Sequence, residues 1–144
     1  MAFRQGVAPA AATHRHTKPA LATQAEGTPL PPVLESLFGL IAEPVRKLEA
    51  APDADLPLRE IGLLLGDVLD WLEEDQTILH AADRLYDAAF ALHDARQRRS
   101  TCASITERTM QARADAVPVA LAVFRASLSM AKPNARARAR QIAW

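Results

Sequence analysis

The 144-residue chain is poor in several things at once: it has one cysteine, five glycines and only 5% aromatic residues. Cys102 alone cannot close an intramolecular disulfide, and it supplies one thiolate where a structural zinc site needs four ligands. The glycines, Gly6, Gly27, Gly39, Gly62 and Gly66, form neither the dinucleotide-binding fingerprint nor a phosphate-cradling loop with its lysine, which disfavours nucleotide-dependent enzymes. Long apolar runs are missing too. The richest stretch, Ile61 to Leu72, is interrupted by Asp67 and Asp70 and is too short to span a bilayer, so no membrane association is expected. Arg4, His14, Arg15, His16 and Lys18 break up the start of the chain, where a secretory leader would need a continuous apolar segment. The expectation is a soluble, cytoplasmic protein.

Net charge is absent as a total but not locally. Lysine plus arginine equals aspartate plus glutamate at 17 each. Residues 1–30 carry +2, residues 31–75 hold three bases and eleven acids for a net of −8, and residues 76–144 hold eleven bases and five acids for a net of +6. Such segregation has two readings: acidic and basic faces compensate within one molecule, or they form charged docking surfaces for a partner.

Alanine, at 30 residues, is what the chain has most of, and it favours helix because it loses no side-chain entropy there. The pattern predicts an all-α fold, a small four-helix bundle-like domain over residues 31–133. A disordered N-terminal arm precedes it at 1–30, and a basic C-terminal tail follows at 134–144. The arm is expected to stay disordered because it has almost no large apolar side chains to offset the entropy of ordering. A first helix should start near Pro31 or Pro32, bury Leu34, Leu37 and Ile41, and kink or stop at Pro44. The second should run from about Pro57 to Asp75, burying Leu58, Ile61, Leu65, Val68 and Leu72. Thr77 should cap a third helix reaching Arg98, whose apolar side holds Ile78, Leu85, Tyr86, Phe90, Leu92 and His93. Helices 2 and 3, joined by few residues, should pair as an antiparallel hairpin. Ser104 and Glu107 have capping-box spacing ahead of a fourth helix, kinked at Pro118, whose apolar run Ala116 to Phe124 reads as buried.

Chemistry-bearing constellations are sparse. His80, Asp83, Arg84 and Asp87 share a helix face compatible with acid–base chemistry, but a solvated stripe has the same pattern. His14 and His16 sit in the arm, where metal binding would carry an ordering cost. No catalytic residue, metal ligand, cofactor or small-molecule ligand is therefore assigned. Interaction residues are easier to nominate. Leu63 is the one apolar residue on the polar side of helix 2, flanked by Gly62 and Gly66 and accompanied by Asp67 and Asp70, so these five form a candidate contact for self-association or another protein. Arg98, Arg99, Arg136, Arg138 and Arg140 are candidates for binding phosphate or an acidic partner, with Trp144 as an apolar anchor. The leading expectation is a non-enzymatic helical interaction or adaptor protein that self-associates. The alternative is a nucleic-acid-binding accessory protein using the arginine-rich C-terminal half.

Overall fold

The structure, a computed structural model, describes residues 29–99, 101 and 104–140. The first 28 residues, which include His14, His16 and almost all of the expected disordered arm, lie outside the described residues, as do Cys102 and Trp144. Among the described residues the fold is all-helical: α1 (Pro32–Ala50), α2 (Asp55–Leu69), α3 (Gln76–Arg99), α4 (Glu107–Leu128) and the short α5 (Ala135–Ala139). The four long helices close a ring of neighbours, α1 on α2, α2 on α3, α3 on α4 and α4 back on α1, with the α3–α4 and α1–α2 pairs the most extensive.

The ring follows from the apolar stripes. Leu34, Ile41, Val45 and Leu48 of α1 recur at helical spacing and are fully buried, as do Ile61 and Val68 of α2 with Leu58 and Leu65 beside them. Across from these stand Ile78, Leu85, Ala89 and Leu92 of α3 and Val117, Phe124 and Leu128 of α4. Each large side chain removed from water contributes about 1.5–3 kcal/mol, which makes this one core the main source of stability.

Two registers fix how α3 lies against its neighbours. Asp55 meets His93 at 3.0 Å, while a Cβ built on Gly62 would stand 3.2 Å from the Tyr86 ring, so α2 and α3 run antiparallel as expected. Arg99 meets Glu107 at 2.6 Å, and Thr77 shares a furrow with Met130 at the other end, so α3 and α4 are antiparallel as well. His93 also ties the loop before α2. Its Nδ1 lies 2.8 Å from the Pro52 carbonyl, within hydrogen-bond reach of an acceptor. Arg125 joins α4 to α1, its Nη2 donating to both carboxylate oxygens of Glu35 at 3.0 Å while its guanidinium lies 5.6 Å from the centre of the Phe38 ring.

Of the two outcomes open at Pro44 the helix does not stop, and α4 contains Pro118 without a break, since each proline leaves only one carbonyl of the preceding turn without its donor. Other local expectations are corrected. α2 ends at Leu69, short of Asp75, because the next residues pair with a distant segment: Leu72 bridges to Pro133, and the Glu73 N–H donates to the Lys132 carbonyl at 2.8 Å. Asp75, not Thr77, caps α3, its Oδ1 accepting from the Thr77 N–H at 2.8 Å. Thr106 rather than Ser104 caps α4, accepting from the Thr109 N–H at 3.1 Å. The run Ala116 to Phe124 is not wholly buried either. Val117 and Phe124 are enclosed, whereas Val119 and Val123 project outward, because a helix turns its residues through every direction within two turns.

Residues 134–140 continue the ordered structure. Asn134 is the pivot: its Oδ1 caps α5 by accepting from the Ala137 N–H at 2.9 Å, its Nδ2 donates to the Asp70 carbonyl at 2.7 Å, and its backbone N–H donates to the Trp71 carbonyl at 3.0 Å. α5 holds Ala137 fully buried. No helix among the described residues is long and apolar enough to cross a membrane.

Candidate functional site

The outward face of α2 is set by its inward one. With a residue every 100° around the axis, Leu58, Ile61, Leu65 and Val68 define the core direction, and Leu63 stands opposite their mean. Leu63 is 66% exposed, and Leu56, seven residues earlier on the same stripe, is 59% exposed. The helices on either side add to this face. Leu40 of α1 is 54% exposed and shares a furrow with Leu64, Asp67, Asp70 and Trp71. Tyr86 and Phe90 of α3, expected in the core, instead lie partly in water, with Tyr86 packed against Gly62 and Phe90 one turn further along. Five of the eight large exposed apolar side chains among the described residues thus belong to the outer side of the α1–α2–α3 layer.

The two glycines in that face serve different ends. Gly62 permits the approach of Tyr86, and so belongs to packing between α2 and α3. Gly66 is exposed and has nothing among the described residues within 4 Å of the position a Cβ would take. Around Leu63 the polar residues are Arg59, Asp67 and Asp70, all exposed, with Glu60 half-buried. None of these four has an ion-pair partner among the described residues. One carboxylate on a neighbouring helix has a perturbed proton affinity: partial burial of Glu49 near the end of α1 raises it above the ordinary glutamate value.

The arginines nominated from sequence do not gather into one patch. Arg98 pairs with Asp94 at 3.1 Å and Arg99 with Glu107 at 2.6 Å, both around the α3–α4 connection. At the opposite end Arg138 donates to the Pro133 carbonyl at 2.6 Å and lies 3.7 Å from Glu73. Arg136 places its guanidinium 4.9 Å from the centre of the Trp71 ring. Arg140 is exposed at the end of α5, and Trp144 is outside the described residues. Pairs such as Arg125–Glu35 and Arg138–Glu73 join the basic half of the chain to the acidic half, so part of the charge segregation is compensated inside the molecule.

Nothing in the geometry assembles a reaction centre from the histidine stripe of α3. His80 and Arg84 line a furrow of about 470 Å³ between α3 and α4, whereas Asp83 lines a different one between α2 and α3. His80 and Asp83 therefore do not converge. Among the described residues no three histidine, cysteine, aspartate or glutamate side chains are grouped so as to hold a metal ion. Sequence reasoning missed Tyr86 and Phe90 as surface residues, because both fall near the boundary of the α3 apolar stripe and only the placement of α2 decides which side of it is covered.

These features define a helical bundle with an apolar outer layer on three of its helices. Comparison with protein-family models, with curated proteins and with solved structures gives no match to this chain.

Proposed function

We propose that this chain is a non-enzymatic helical interaction protein of the adaptor or regulatory kind, and that it self-associates through the outer face of α2. The observation that carries this reading is Leu63, a large apolar side chain 66% exposed opposite the core, with Leu40, Leu56, Tyr86 and Phe90 exposed on the same side. Apolar groups grouped on one face are a mark of a protein contact, whereas scattered ones are ordinary surface. The carboxylates beside them add a polar rim of the kind that sets orientation more than affinity. A cytoplasmic setting is part of the proposal, supported by the single cysteine.

Light scattering coupled to size-exclusion chromatography tests it. The wild-type chain is expected to elute above monomer mass at high concentration, and Leu63→Glu to return it to the monomer with its helical circular dichroism intact. A wild-type chain that stays monomeric throughout the concentration series refutes self-association. The nucleic-acid reading has no observation of its own to favour it, since Arg98, Arg99, Arg136 and Arg138 are each engaged within the molecule.

A further inference from the structure

Self-association through one face leaves open how two copies would lie, and the charges around Leu63 favour one arrangement. Arg59 and Asp67 stand four residues before and four residues after Leu63, on the same exposed stripe of α2. Eight residues apart, they are separated by about 12 Å along the helix axis, too far to pair with each other in one copy. Neither has an ion-pair partner among the described residues, although Asp55 four residues before Arg59 and Arg136 near Asp67 could in principle supply one: Asp55 is held by His93 and Arg136 sits on Trp71.

We infer that the partner of this face is a second copy of the same chain, with the two α2 helices crossing antiparallel about a two-fold axis at Leu63, so that Arg59 of each copy pairs with Asp67 of the other. A two-fold contact uses the same patch twice, and what is complementary about its centre must therefore be carried at equal distances on either side of it. A base at minus four and an acid at plus four meet that requirement. A parallel arrangement would instead set Arg59 against Arg59 and Asp67 against Asp67, juxtaposing like charges. Gly66, one turn from Leu63 and with open space where a Cβ would be, lets the second backbone come close beside the centre. The inference rests on the self-association reading and adds to it the identity of the partner surface, its direction and its salt bridges.

The experiment is a charge exchange read by analytical ultracentrifugation, with circular dichroism at 222 nm confirming that each variant is folded. Arg59→Glu alone and Asp67→Arg alone each place two like-charge contacts in the dimer, and each is expected to weaken it about tenfold. The double variant R59E/D67R restores opposite charges across the interface and is expected to recover the wild-type association. A second measurement does not depend on those charges. In a Cys102→Ala background, Leu63→Cys should form a disulfide-linked dimer on oxidation. Leu56→Cys should not, because antiparallel crossing at Leu63 places the two Leu56 positions about 21 Å apart along the axis.

If Leu63→Glu dissolves the oligomer but the double exchange fails to recover what the single reversals lost, or Leu56→Cys links as readily as Leu63→Cys, the antiparallel arrangement is overturned while self-association stands. A wild-type monomer at all concentrations overturns both.

Discussion

Gly62 and Gly66 are four residues apart on one helix and yet meet different surroundings, which makes them a clean comparison of intrinsic and tertiary effects. A methyl group at Gly66 touches nothing within 4 Å, so Gly66→Ala should gain the helix preference of alanine over glycine, about 0.5–1 kcal/mol, in the folded monomer. At Gly62 the same methyl group would sit 3.2 Å from the Tyr86 Cε1, and the ring must give way for the same preference to be realised. Gly62→Ala should therefore stabilise less than Gly66→Ala, or destabilise. Urea unfolding of the two variants at low protein concentration, where association does not contribute, checks the order. An equal gain at both positions would show that Tyr86 does not rest on Gly62. Burial acts on Glu49 in an analogous way. Its raised proton affinity in the folded state means that the neutral form is favoured there, a contribution to stability present below the ordinary glutamate value and lost as pH rises through the raised one.

At the level of elements, the junction between the end of α2 and the start of α5 is the least ordinary part of the fold. α5 has five residues, too few to be stable alone, and is held by its cap, by the Leu72–Pro133 bridge and by the stacking of Arg136 on Trp71. Asn134 serves both sides of this junction, capping α5 while bonding the carbonyls of Asp70 and Trp71. Asn134→Ala removes the cap and the side-chain donor but keeps the backbone N–H, and is expected to cost about 1–2 kcal/mol. The loss should be concentrated in hydrogen exchange of α5 and residues 70–73, with amides in the middle of α3 retaining their relative protection. Uniformly faster exchange over the bundle would mean that the junction is part of the core's cooperative unit.

For the molecule as a whole, the closed ring of four helices around one core implies that they unfold together. Phe124 is the largest of the fully buried side chains and packs within that shared interior, so Phe124→Ala should cost about 3–5 kcal/mol. The far-ultraviolet circular dichroism melt should stay a single transition and move down as one; two separate helical transitions would show that the ring is not one cooperative unit. Charge acts at this scale too. The −8 and +6 segments are drawn together by Arg125–Glu35 and Arg138–Glu73, while Asp67 and Asp70 on the outside of α2 have no ion-pair partner among the described residues.

The helical class and most of the core were legible in the chain by itself. Stripes such as Leu34, Ile41, Val45 and Leu48, or Ile78, Leu85 and Leu92, repeat at the helical period, and period alone decides which residues can share a buried side. Leu63 was legible for the same reason, as the apolar residue out of phase with its helix. Only tertiary structure decided that α2 ends at Leu69, that Tyr86 and Phe90 emerge at the surface, and that Arg136 and Arg138 fold back onto Trp71 and Glu73. Each of these depends on a segment distant in sequence arriving to take a hydrogen bond, cover a flank or offer a ring. Local periodicity contains no information about which distant segment that will be.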